Sequence, residues 1–83
     1  MIMSSEQLTI ELLESFCKHY NLTLEIGTKC FYLSETHCMM SGLDLQRCIS
    51  LAFMLDAHFY VSTAPSGRIA FVLYNVDTHE QPL

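Results

Sequence analysis

The sequence is short of positive charge. Only four Lys and Arg residues stand against nine Asp and Glu residues, which gives a formal net charge of −5 at pH 7. A protein that binds nucleic-acid phosphates or an anionic membrane needs basic side chains to neutralise those charges. The composition therefore argues against direct nucleic-acid binding and against attachment to an anionic membrane surface.

Charged residues of either sign are also scarce, and no apolar run is long enough to cross a membrane. Charged residues make up 16% of the 83 positions and hydrophobic residues 51%. This balance favours a folded domain with some apolar surface left uncovered. No segment approaches the roughly 20 apolar residues of a membrane span, and the first residues lack the regions of a secretion signal. We expect a cytoplasmic protein with one domain over residues 1–76 and a flexible tail over 77–83.

Motifs of metal, cofactor and catalytic sites are missing as well. The four Cys and four His residues show no Cys-x2–4-Cys spacing, and no glycine-rich phosphate loop or pair of catalytic acids is present. We expect four reduced thiols, no metal, no cofactor and no catalytic residues. Cys38 follows His37, which leaves a Cys-dependent enzyme as the third alternative, although adjacency alone is a weak indication of catalysis.

Two segments have the apolar periodicity of helices that face a core. The first covers residues 4–20, with Ser4 as its expected N-cap and Asn21 as its expected left-handed terminator. In the second, Ser41 can accept a hydrogen bond from the amide of Asp44, so we expect the helix to begin at residue 41 or 42. This helix leads directly into a strand, and the rest of the chain is expected to be organised around it.

The first helix is followed by the pattern of a β-hairpin over residues 22–33. We predict a two-residue loop at Gly27-Thr28, because a leading Gly suits a type II′ turn. This register would put Leu24 opposite Phe31. It would also put Leu22, Leu24 and Ile26 on the core side of the sheet, and Thr23, Glu25, Cys30 and Tyr32 on the other side.

The second helix is followed by a second hairpin, with strands over 58–63 and 68–76. Pro65 and Gly67 fit a three-residue loop that puts Ala64 opposite Arg68. The nearly all-apolar second strand belongs in the sheet interior. The register separates a core face, with Phe59, Val61, Ile69, Phe71 and Leu73, from an opposite face, with His58, Tyr60, Ala70, Val72 and Tyr74.

The element order αββαββ predicts an α+β fold. The expected architecture is a two-layer sandwich with a four-stranded antiparallel sheet and two helices on one face, in a permuted ferredoxin-like topology. Helical and strand periods select the same expected core centre: Leu45, Ile49, Ala52, Phe59, Val61, Phe71 and Leu73.

The sheet face away from the helices is the candidate interaction surface. It would carry the side chains of Glu25, Tyr32, His58, Tyr60, Val72 and Tyr74. Tyr is enriched in protein interfaces because it buries a large rigid ring and keeps a polar tip. Tyr also has a good strand propensity, so a merely solvent-exposed sheet is the competing interpretation.

These features predict a small acidic non-enzymatic protein-interaction module, whose partner is another protein or a second copy in a homodimer. By analogy of size, fold and charge, it would be a phage or mobile-element accessory protein. Such a protein would inhibit a host nucleic-acid-handling complex in the antirestriction or anti-CRISPR style. The alternative is a small-ligand-binding or regulatory domain, with its pocket near the connector over residues 34–40.

Overall fold

The computed structural model describes residues 5–36 and 41–74 of the chain. Two helices and four strands follow one another in the predicted order αββαββ. They are α1 (Ser5–Tyr20), β1 (Leu22–Gly27), β2 (Cys30–Glu35), α2 (Gly42–Met54), β3 (His58–Thr63) and β4 (Ile69–Tyr74). The strands form one antiparallel sheet in the order β1-β2-β4-β3. The α+β two-layer sandwich is therefore confirmed, with β4 in the sheet interior as its apolar sequence predicts.

The described helix ends agree with the capping residues in the sequence. Asn21 follows α1 with a φ of 59°, the left-handed conformation that Asn tolerates and that ends a helix. The Ser41 hydroxyl accepts a hydrogen bond from the Asp44 amide at 3.1 Å, and α2 begins at Gly42. Ser4, the predicted cap of α1, lies outside the described residues.

A left-handed Asp56 directs α2 into β3. The Asp56 amide donates to the Phe53 carbonyl at 3.2 Å, and the Ala57 amide donates to the Ala52 carbonyl at 2.9 Å. These two bonds, with Asp56 at a φ of 55°, form the Schellman arrangement that satisfies the last carbonyls of a helix. The turn is short, so β3 starts immediately beside the end of α2.

The loop of the first hairpin is shifted from the predicted position. Gly27 pairs with Cys30 and Leu24 pairs with Leu33, so the two loop residues are Thr28 and Lys29 rather than Gly27 and Thr28. Lys29 has the left-handed φ of 61°. The pairing moves by two residues and strand side chains alternate with a period of two, so every residue keeps its predicted face.

Gly27 is needed in β1 for space rather than for its backbone conformation. A Cβ atom at this position would lie 2.7 Å from Cε2 of Tyr32 and 2.9 Å from the Cys30 sulfur. The turn prediction was wrong because both uses of glycine look the same in a sequence.

The predicted register of the second hairpin is confirmed. The Ala64 amide donates to the Arg68 carbonyl at 2.7 Å, and the Gly67 amide donates to the Ala64 carbonyl at 2.8 Å. Gly67 has a φ of 95°, which matches the left-handed position of a three-residue loop. The register fixes which β3 residues face each side of the sheet.

The core lies between the sheet and both helices. Its buried members are Leu13, Cys17, Leu22, Leu33, Cys48, Leu51, Ala52, Phe71 and Leu73. Leu45 and Ile49 pack at its margin. Phe59 and Val61, predicted at its centre, are instead 38% and 57% exposed. They face the helix side, but β3 is the last strand of the sheet, and strand period alone does not show how far the helices cover it.

No helix in the described ranges is both long and apolar enough to span a membrane. The predicted tail over 77–83 lies outside those ranges.

Candidate functional site

The six predicted site residues lie in two adjacent rows across the sheet face opposite the helices, which we call the outer face. The first row runs through all four strands as Glu25, Tyr32, Val72 and Tyr60. In the second row, Tyr74 lies between Cys30 and His58. The hydrogen-bond ladder therefore brings together residues from four separate strands, in the grouping that the sequence periods predict.

Aromatic contacts connect β3 and β4 within these rows. The rings of His58 and Tyr74 stack with centroids 5.4 Å apart, and Tyr60 meets Tyr74 edge-on at 5.3 Å. Tyr60 and His58 are exposed, whereas Tyr74 is half-buried. Val72 is fully buried, so it lies beneath this surface and contributes no contact area of its own.

Tyr32 remains a neutral phenol at neutral pH. A hydrogen bond with the Cys30 side chain raises the pKa of Tyr32, and electrostatic interaction with Cys30, desolvation, and the neighbouring Tyr60 and Glu25 act in the same direction. A neutral hydroxyl can both donate and accept hydrogen bonds. Tyr32 therefore presents a polar tip without adding negative charge.

The other end of the outer face is covered by the protein's own β3–β4 loop. Ser66 donates to the Glu25 carboxylate through its amide at 3.2 Å and through its hydroxyl at 2.6 Å. Arg68 donates to the Thr23 hydroxyl at 3.4 Å and to the Glu35 carbonyl at 3.3 Å. Through these contacts, the loop that precedes β4 packs over the ends of β2 and β1. The buried residues at this end are Ser34, Ala64 and Ala70.

A second exposed apolar surface lies on the helix side of β3. Phe59 stacks on Phe71 with centroids 4.9 Å apart, yet its other face is open to solvent. Val61 and Ile69 lie diagonally on the same side and are exposed. Phe53, near the end of α2, is 76% exposed. The sequence prediction assigned this side of β3 to the core. The predicted interior position of β4 already implied that its hairpin partner β3 lies at the edge of the sheet, where the core is less well covered.

Cys17 and Cys48 are poorly suited to nucleophilic catalysis. Burial raises the pKa of Cys17 to about 12. Burial also raises the pKa of Cys48 to about 12, and electrostatic interactions with Cys17 and Asp44 act in the same direction. A thiol must ionise to attack. Cys38 and His37 lie outside the described residues. Within residues 5–36 and 41–74, no three His, Cys, Asp or Glu residues are placed to hold a metal ion together.

Comparison of the chain with protein-family models, curated proteins and solved structures finds no match.

Proposed function

We propose that this protein is a non-enzymatic protein-interaction module whose contact surface is centred on β3. The observation that carries the proposal is that all six β3 residues are exposed, among them Phe59, Tyr60 and Val61. A strand in a small domain usually buries one face against the core. Exposed apolar and aromatic area of this kind marks interaction sites in soluble proteins.

The surface has the composition of a binding site. Tyr60 and His58 offer rings with polar atoms on the outer face, and Phe59 and Val61 offer purely apolar area on the other side. Aromatic residues dominate the binding energy of protein interfaces because each buries a large area at a low cost in side-chain entropy. β3 contains no Lys, Arg, Asp or Glu, so desolvating the strand buries none of these charged groups.

The finer assignment is an inhibitor of a host nucleic-acid-handling complex, carried by a phage or mobile element. The net charge of −5 supports docking on a basic protein surface, because opposite charges at the rim speed association and select the partner. The free thiols of Cys17, Cys30 and Cys48 support a reducing compartment, and we place the protein in the cytoplasm.

Site-specific photocrosslinking in the source cell tests the interaction function. The photoreactive residue p-benzoylphenylalanine replaces Tyr60 in one variant and Glu14, on the exposed side of α1, in the matched control. We expect protein adducts from position 60 and none from position 14. Absence of any protein adduct at position 60, or equal adducts at both positions, would overturn the proposal.

A further inference from the structure

The outer edge of β3 has backbone hydrogen-bonding groups with no strand beside them in the described part of the chain, where β3 pairs only with β4. The Ala64 amide bonds to β4, and the direction of the backbone groups alternates along an antiparallel strand. Ser62 and Tyr60 therefore also direct their amides towards β4. Phe59, Val61 and Thr63 direct theirs outward. A strand is the ligand that fits such a row.

This edge lacks the usual protection against pairing. Natural edge strands are commonly guarded by a charged side chain, a proline, a bulge or a very short length. β3 has the sequence HFYVST, with no Lys, Arg, Asp, Glu or Pro, and it pairs with β4 without a break from His58 to Thr63. Within residues 5–36 and 41–74, β3 is therefore a pairing-competent strand with an open edge.

We infer that the partner at this edge is the β3 strand of a second copy, so that two sheets join into one continuous antiparallel sheet of eight strands. The inference rests on the proposed interaction function and specifies its partner. A two-fold axis perpendicular to the sheet keeps the helix side and the outer side of both copies aligned. All four helices then lie on one side of the joined sheet.

The β3 strands of two copies can pair in an antiparallel register centred on Tyr60. With the axis at this residue, Tyr60 lies opposite its own copy on the outer face, and His58 lies opposite Ser62. On the helix side, Phe59 lies opposite Val61 and Val61 opposite Phe59. Aromatic and β-branched residues are favourable cross-strand partners. The pairing thus matches apolar residues with apolar residues and leaves the outer pairs aromatic or polar.

The charge distribution permits pairing with a second copy, because β3 contains no Lys, Arg, Asp or Glu. Two molecules that each carry −5 repel at long range, but β3 places no like charges opposite each other at contact. Salt screens the long-range repulsion, so self-association should strengthen as the salt concentration rises. Binding to a basic partner would weaken under the same change.

The opposite edge of the sheet provides a matched control. β1 is also an outer strand, but it packs against α1 and carries Glu25 beside its exposed Ile26. Ile26 is 56% exposed and Val61 is 57% exposed, and both are β-branched residues on the helix side of an outer strand. A charge placed at either position is therefore a comparable perturbation of the monomer.

Sedimentation equilibrium on the full chain tests the inference with Val61→Lys and Ile26→Lys. We expect twice the mass of one chain for the wild type and for Ile26→Lys, and the mass of one chain for Val61→Lys. Circular dichroism should be unchanged in both variants, which excludes unfolding as the cause. A monomeric wild type, a dimeric Val61→Lys variant or dissociation by Ile26→Lys would overturn the pairing at β3.

Amide hydrogen exchange provides a readout specific to the backbone. On raising the wild-type concentration, the amides of Phe59, Val61 and Thr63 should become protected, while those of Tyr60 and Ser62 are protected at every concentration. Unchanged exchange at the three outward amides would contradict the inference. If position 60 crosslinks only to a different protein and the chain sediments as a monomer, the interaction function stands and the self-pairing is wrong.

Discussion

Burial determines the chemistry of Cys17 and Cys48 at the scale of single residues. Both thiols lie in the core, one from each helix, and the loss of water disfavours their charged form. The pKa of each rises from 9.0 to about 12. Their position therefore makes them small apolar packing groups rather than nucleophiles.

The raised pKa values predict a loss of stability at alkaline pH. Above pH 9, the unfolded chain releases thiol protons that the folded chain retains, so the free energy of unfolding falls as the pH rises from about 9 towards 12. Denaturant titrations at a series of pH values would measure this slope. The Cys48→Ala variant should show a shallower slope than the wild type, and an identical slope would contradict the assignment.

Phe71 is the largest fully buried side chain, and its truncation should be costly. We expect Phe71→Ala to reduce the free energy of unfolding by about 3–5 kcal/mol, because the remaining core cannot refill the space of the ring. Phe53→Ala is the matched control, since that ring is mostly exposed. Urea denaturation should find the control within about 0.5 kcal/mol of the wild type; similar losses in both variants would show that Phe71 is not central.

At the scale of elements, the β1–β2 hairpin illustrates how a turn can be misplaced without changing a fold. The left-handed position is occupied by Lys29 at a φ of 61°, although a glycine stands two residues earlier. The glycine at position 27 leaves space for Tyr32 and Cys30, which would crowd a Cβ atom there. The loop itself has a non-glycine residue in the left-handed region, where a side chain is strained.

Replacing that residue should stabilise the hairpin. We expect Lys29→Gly to raise the free energy of unfolding by about 0.5–1 kcal/mol, because glycine adopts a positive φ without the Cβ clash of other residues. Thr28→Gly is the adjacent control and should be neutral or destabilising, since Thr28 has no positive φ. Thermal denaturation of both variants measures these effects. Stabilisation by Thr28→Gly and not by Lys29→Gly would show that Lys29 is not the left-handed residue of the loop.

At the scale of the whole molecule, β3 differs from the other three strands in its burial. β1, β2 and β4 place residues in the buried core cluster, while every residue of β3 is exposed. The β3–β4 loop covers one end of the outer face through Ser66 and Arg68. The described residues leave open the end with Tyr60, Tyr74 and His58, together with the helix side and the outer edge of β3.

Substitutions of Tyr60 and Tyr74 measure the contribution of the open outer face. Tyr60→Ala or Tyr74→Ala should weaken binding, to a second copy or to another protein, by about 2 kcal/mol, because a few aromatic residues carry most of the energy of an interface. Partner titration and light scattering report binding, and circular dichroism reports folding. Leu43→Ala, at an exposed apolar residue on α2, should leave binding unchanged. Equal effects of all three variants would exclude a localised surface.

Much of the fold and part of the candidate site could be predicted from sequence. Helix caps such as Ser41 and Asn21, and the loop around Gly67, depend on contacts within a few residues, so local patterns identify them. The grouping of Tyr32 with Tyr60 followed from strand period and element order. The burial of Val72 was missed because it depends on the neighbouring strands and on the packing around them.

The sequence by itself determined the element order, the two faces of each strand and the acidic, weakly charged character of the chain, because periodicity and composition are local properties. The tertiary structure decided how far each face is covered. Phe59 and Val61 have the same apolar alternation as Phe71 and Leu73, but they lie on the last strand rather than an inner one. Coverage depends on strand order and on where the helices lie, which are relations between distant segments. The open strand that carries the proposed function became visible only in the assembled sheet.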